Sequence, residues 1–295
     1  MLLYSPMAPL CLMALAAFAN ADALSVIPNA DVRASKTCVP FRLTDVQPRI
    51  LVTGGAGFIG SHLVARLLAS DAPSTVKIVD SLHRGRLENL LDDDGNPLAG
   101  LSFENDVCIG DLTHYAVALK MTRHVDTIYH LADMVAGIDF IFDHQALVFE
   151  RNMLINLNAV MAARTNHVPA FVYTATACSF PKELQASYFN STVGYSSIPE
   201  EKLYPANPES SYGWSKLMGE YHLKRGLGHG SHRMEVGIAR LHNVYGGRSP
   251  YRNGSQAIPA LIRKAVTYPA EGFRVRGSGL QYRDFLHVDD AVSGE

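Results

Sequence analysis

Tyr212 and Lys216 stand four residues apart in Tyr212-Gly-Trp-Ser-Lys216, a spacing that puts both side chains on one face of a helix. Such a pair suits proton transfer. A free phenol, with a pKa near 10, is a poor base at neutral pH, and lowering it by about three units takes about 4 kcal/mol of preferential phenolate stabilisation. A neighbouring ammonium supplies part of that. The plainer reading is an aromatic–lysine pair of the kind any helix carries. Thr176 follows the β-rich run Phe171 to Tyr173 and is expected at a strand end, where its hydroxyl either bonds nearby backbone or serves a reaction. Cys178 is either a small buried apolar residue or an acid–base thiol whose pKa its neighbours lower.

A second constellation binds rather than reacts. The short run Arg49-Ile-Leu-Val-Thr53 leads directly into Gly54-Gly-Ala-Gly57-Phe-Ile-Gly60, and Ser61 to Ser70 continues with Leu63, Leu67 and Leu68 at helical spacing. Strand, glycine turn and helix form the context in which this motif means a dinucleotide site. Gly54 and Gly57 let the backbone approach a pyrophosphate, the helix start favours the anion, and Gly60 allows close helix–strand packing. The next strand, Val76 to Asp80, ends in an acid that can accept hydrogen bonds from ribose hydroxyls and repel a 2′-phosphate. NAD is therefore expected over NADP, with Arg84 and Arg86 acting against that preference. The alternative for Asp80 is a turn-forming or capping acid.

Strand patterns recur near Arg49–Thr53, Val76–Asp80, Leu101–Val107, Val125–Leu131, Ala170–Tyr173 and Met234–Ala239, with helical patterns between them. That alternation predicts an α/β fold, a doubly wound parallel sheet with right-handed crossovers. With 295 residues, 47% of them hydrophobic, the chain has material for a large core and about two domains. Its 26 Lys+Arg against 28 Asp+Glu argue against nucleic-acid binding through bulk positive charge. Four scattered cysteines, Cys11, Cys38, Cys108 and Cys178, suggest no disulfide framework, and no C-x-x-C pair suggests zinc. No internal repeat is evident. Pro9 to Ala19 is apolar and uncharged and is followed by Ala-x-Ala patterns, so residues 1–23 read as a secretory or organelle leader, although no Lys or Arg precedes the run. The run is too short for a stable membrane span, and Leu24 to Gln47 reads as a linker.

Thr53-Gly-Gly-Ala-Gly-Phe-Ile-Gly-Ser-His62 closely resembles the fingerprint of the extended short-chain dehydrogenase/reductases, the NAD-dependent epimerase/dehydratase family. Further segments are similar in the family's order: Asp80 to Leu90, Gly110-Asp111-Leu112, His130-Leu-Ala132, Tyr212 to Lys216, Arg240 to Gly246, Gly277 to Phe285 and His287-Val-Asp-Asp290. The resemblance implies a Rossmann domain over residues 48–242, to which 1–47 is leader and linker. It also implies a smaller, truncated C-terminal substrate lobe at 243–295, with 179–208 contributing. On the cofactor side it implies Gly54, Gly57, Phe58, Ile59, Gly60, Asp80, Asp111, Leu112, Ala132 and Lys216 for NAD. It assigns Thr176, Tyr212 and Lys216 to the reaction, and Asn243, Lys264 and Arg283 to the diphosphate of a nucleotide-sugar substrate, with Arg240 supporting the loop. A homodimer pairing through helices near Asn152–Asn166 and Ser211–Arg225 is implied too. The chemistry favours a cytoplasmic setting, against the leader-like start.

Within the family, Ala132-Asp-Met134, Phe140-Ile141, Ala162-Ala-Arg164, Phe171-Val-Tyr173 and Ala177-Cys178 resemble the GDP-mannose 3,5-epimerase branch. Dehydratases of the family carry an Asp-Glu pair where this chain has Ala177-Cys178. The branch implies Cys178 as a base on one sugar face, but its lysine on the other is matched here by Gln256, which cannot exchange a proton. The expectation is an NAD-dependent nucleotide-sugar epimerase working through a transient 4-keto sugar. The alternatives are a UDP-sugar 4-epimerase in which Cys178 is passive, or a catalytically silent NAD-binding regulatory protein.

Overall fold

In a computed structural model of the protein, residues 38–186, 198–226, 233–251, 255–275 and 283–295 are described. The leader-like residues 1–23, most of the expected linker, positions 187–197 of the expected substrate lobe and Gly277 to Tyr282 lie outside them. Among the described residues no helix is long and apolar enough to cross a membrane.

Six parallel strands form the central sheet in the order β3-β2-β1-β4-β5-β6. They are β1 (Arg49–Thr53), β2 (Thr75–Asp80), β3 (Val107–Ile109), β4 (Thr127–His130), β5 (Ala170–Thr176) and β6 (Glu235–Leu241). A separate parallel pair joins β7 (Asn243–Tyr245) to β8 (Phe285–His287). Helices α1 (Phe58–Leu68), α2 (Tyr115–Met121), α3 (Ile138–Asp143), α4 (Gln145–Thr165), α5 (Ser211–Gly226), α6 (Ala257–Thr267) and α7 (Val288–Gly294) flank these strands. Burial on both faces makes the central strands nearly continuous apolar runs, as parallel strands between helices require: Leu51, Val52, Ile78, Val79, Ile128 and Phe171 are all buried. The strand order reverses between β1 and β4, and ligands of such sheets bind beyond the strands' carboxyl ends at that switch point.

Two expectations need correction. The pattern at Leu101–Val107 is not one strand: Ser102 caps a helical turn, its Oγ accepting from the Asn105 N–H, and β3 starts only at Val107. Nor is the whole of Leu24–Gln47 a linker. Phe41 is 2% exposed and belongs to the core, and Cys38 is disulfide-bonded to Cys108 in β3. One bridge across a separation of 70 residues ties the segment before β1 to the sheet edge, a pairing that scattered spacing alone does not reveal.

Candidate active site

The glycine turn is built to leave room. Gly54, at φ +70°, carries its N–H to the Val79 carbonyl at 2.8 Å, and a Cβ there would lie 2.8 Å from the Ala132 amide nitrogen. A Cβ on Gly60 would run into the Gly54 carbonyl. Gly57 precedes α1 without any side-chain cap, so the helix's first N–H groups keep their capacity for an anion. Asp80, buried at the end of β2, accepts N–H bonds from Ala56 (3.0 Å) and Leu82 (2.8 Å). Burial pushes its carboxyl up, and the N–H groups of Leu82, Ala56 and Gly57 offset that only in part, leaving it above the usual carboxylate range. Asp80 thus does the backbone-bonding work of the plainer reading, at the carboxyl end of β2 beside the glycine turn. These residues fit a dinucleotide.

Other expected cofactor residues serve the scaffold as well. Asp111 accepts from the Thr113 N–H and Oγ1 and from Arg151, at 2.6 Å. Burial pushes its carboxyl up, but Thr113 and Arg151 outweigh it and leave it below the usual range. Leu112 is a core residue, and the Ala132 N–H donates to Thr53 Oγ1. Phe58 and Ile59 open α1 directly after Gly57.

At the ends of β4 and β5 the side chains expected to carry the reaction come together. Gly213 allows α5 to abut the turn Ala177–Ser179, since a Cβ there would strike the Cys178 carbonyl, and Gly219 makes room for the Tyr173 hydroxyl. Lys216, 1% exposed, donates to the Thr174 carbonyl at 2.8 Å and pairs with Asp133 Oδ2 at 3.0 Å. Tyr212 donates its O–H to the same Oδ2 at 3.2 Å. Burial first, then the charges of Asp133, Cys178 and Tyr173, hold the Tyr212 phenol well above the ordinary tyrosine range. Thr176 Oγ1 accepts from the Cys178 N–H at 3.2 Å, the local backbone bond of the plainer reading, and its hydroxyl also bonds the Cys178 thiol. Cys178 is exposed as a residue, yet crowding of its thiol raises the pKa, opposed by the Thr176 hydroxyl and Arg283 and reinforced by Glu209.

Not every expected residue joins them. Asn243 donates to the Asp284 carbonyl on the β7–β8 pair, and Lys264 donates to the Arg274 carbonyl at 2.7 Å. Gln256 stands at the N-cap position of α6 and makes no side-chain bond to the helix's first turn. Arg283 alone of the three expected diphosphate residues acts on the Cys178 thiol. Arg240 pairs with buried Glu220 at 2.8 Å and with Glu200, fastening β6, α5 and the turn Glu200–Leu203 together. Sequence alone does not distinguish Asp133; its signal is an acid three residues past β4, at the switch point.

This geometry defines a dinucleotide-binding α/β protein with a cluster of buried titratable side chains at its strand ends. The sequence carries the assignment further. A profile of the NAD dependent epimerase/dehydratase family matches residues 50–294, and the chain belongs to that family, whose cofactor is NAD. It is 30% identical over 251 residues to GDP-mannose 3,5-epimerase 1 of Oryza sativa subsp. indica, an alignment covering 83% of this chain and 60% of that one. It is 32% identical over 265 residues to UDP-glucuronic acid decarboxylase 2 of Arabidopsis thaliana, covering 87% and 52%. The fold is similar to that of dTDP-glucose 4,6-dehydratase from Streptomyces venezuelae, solved with NAD bound, at TM-score 0.65 and 28% identity, covering 83% and 70%. The chain thus spans about 60% or less of the length of these two curated relatives.

Proposed function

We propose that the protein is an NAD-dependent nucleotide-sugar epimerase acting through a transient 4-keto sugar, of the GDP-mannose 3,5-epimerase kind. The observation that carries this reading is the seating of Cys178 against the start of α5, where its thiol and the Tyr212 phenol act on each other electrostatically. When bound, NAD supplies reversible two-electron oxidation of the sugar carbon. Tyr212 takes the proton of the sugar's 4-hydroxyl and later returns it, and Thr176 donates a hydrogen bond to the same oxygen. Lys216 lends positive charge and helps hold the cofactor. The carbonyl acidifies the neighbouring carbons, and the Cys178 thiolate removes a proton there. Gln256 carries no titratable acid–base group, so Cys178 is assigned one sugar face and no residue is assigned the other. Arg283 is suited to the substrate diphosphate by its bidentate geometry, with Asn243 and Lys264 on the same lobe.

One observation favours a second reading. A thiol pushed above its ordinary pKa by crowding stays protonated and leaves little thiolate to remove a proton, which suits a UDP-sugar 4-epimerase with a passive Cys178. Incubation with NAD⁺ and GDP-mannose in deuterated water separates the two. Deuterium at carbon 3 or 5, located by NMR, supports proton exchange. Absence of label in folded, NAD-bound protein removes the GDP-mannose reading, and interconversion of UDP-glucose with UDP-galactose then establishes the second. NAD binding with no turnover of any nucleotide sugar is the outcome expected of a regulatory protein.

A further inference from the structure

The stretch leaving β4 is clamped on both sides of Asp133. Before it, the Ala132 N–H donates to Thr53 Oγ1 at 3.2 Å. After it, the Met134 N–H donates to Asn152 Oδ1 at 2.6 Å, and the Met134 carbonyl accepts from Asn152 Nδ2 at 3.1 Å. Asn152 lies on α4 and is fully buried, so this clip does not compete with water. The Asp133 side chain, 12% exposed, is thereby aimed at α5, where one oxygen receives both the Tyr212 O–H and the Lys216 ammonium.

That shared oxygen has a consequence. An ammonium beside a phenol ordinarily favours the phenolate, but the charge of Lys216 is already directed to a carboxylate. Ionising Tyr212 would place a second negative charge against Asp133 and break the O–H bond that now joins them. The other groups facing the phenol are Tyr173 from β5 and Cys178 from the turn beyond it, and neither brings positive charge. Arg84, from the loop after β2, acts on Asp133 itself.

We propose that Asp133 is a positioning residue that holds the Tyr212 proton and the Lys216 charge on one oxygen and so keeps the phenol neutral in the resting site. This rests on the reading of Tyr212 as the acid–base group. Tyr212 is then an acid at rest and becomes a base only when positive charge is brought to the cluster or Asp133 is drawn away.

The test is titration of the protein free of NAD and sugar, followed by near-ultraviolet phenolate absorbance. Subtracting the matching Tyr212→Phe protein isolates the Tyr212 signal. Asp133→Asn is expected to lower the midpoint by about one pH unit or more, a tenfold rise in acidity, and Asp133→Glu to leave it near the parent value. Asp133→Ser carries the same expectation as Asp133→Asn and serves if that variant does not fold. An unshifted midpoint in a folded, uncharged variant overturns the proposal. So do equal shifts in Asp133→Asn and Asp133→Glu, which would assign the effect to packing rather than charge. No sugar enters the measurement, so failure of the epimerase reading leaves it intact. Full turnover by Tyr212→Phe would instead remove the acid–base reading without moving the titration.

Discussion

Tyr212→Phe keeps the ring and removes only the oxygen that Asp133 holds. If Tyr212 moves the sugar's proton, kcat falls by about 10²- to 10⁴-fold while NAD affinity, measured by calorimetry, is unchanged. Cys178→Ser is narrower: deuterium incorporation at carbon 3 or 5 should disappear, while any exchange that needs only carbon 4 continues. A third prediction concerns stability. His130 is fully buried between Thr53 Oγ1 and Asn156, and burial, aided by Lys216, pushes its pKa down from 6.5 to about 3. The unfolded chain therefore binds a proton that the folded chain refuses over that interval. Its contribution is fully present above pH 6.5 and is lost as pH falls toward about 3, by up to about 1.4 kcal/mol per pH unit. The unfolding free energy from urea titrations should therefore fall across that range, and a folded His130→Asn variant should show a flatter decline.

Among the elements, the β1–α1 turn is the least tolerant. Gly60→Ala puts a methyl against the Gly54 carbonyl, so the helix must shift from the strand and carry its uncapped first turn away from the dinucleotide. The expected result is loss of NAD binding together with a lower melting temperature, read by calorimetry and thermal denaturation. This turn was legible in sequence because its chemistry is local: a short strand, three spaced glycines and an apolar helix within one stretch. The sheet was legible for the same reason, since buried parallel strands announce themselves as apolar runs. What stayed hidden depends on the distant chain. Phe41 enters the core because Lys77 and the strands beside it leave a place for its ring, and Cys38 meets Cys108 only because β3 lies at that edge. Asp133 is one acid among many until β4 and α5 bring it to Tyr212. The Leu101–Val107 pattern misled because Ser102 offers its hydroxyl to the backbone and turns the chain into a helical turn first.

On the scale of the whole molecule, the face formed by α3 and α4 leaves large apolar side chains in water. Ile138, Phe142, Leu147, Leu154 and Met161 are exposed there, while Val148, Ile155, Ala159 and Val160 of α4 are buried in the core. Soluble monomers rarely keep a contiguous apolar patch of that kind. Helix α5 packs beside α4 and carries exposed Tyr221. We propose that a second copy of the chain covers it, as the family resemblance implies. A twofold pairing makes the contact self-complementary, so one substitution acts twice at the interface. Leu154→Glu and Met161→Glu would each bring two carboxylates into it and leave the core face of α4 untouched. Sedimentation equilibrium should give a dimer for the parent protein and a monomer for either variant, with NAD still bound. A parent protein that sediments as a monomer at every concentration would leave the exposed face without this partner.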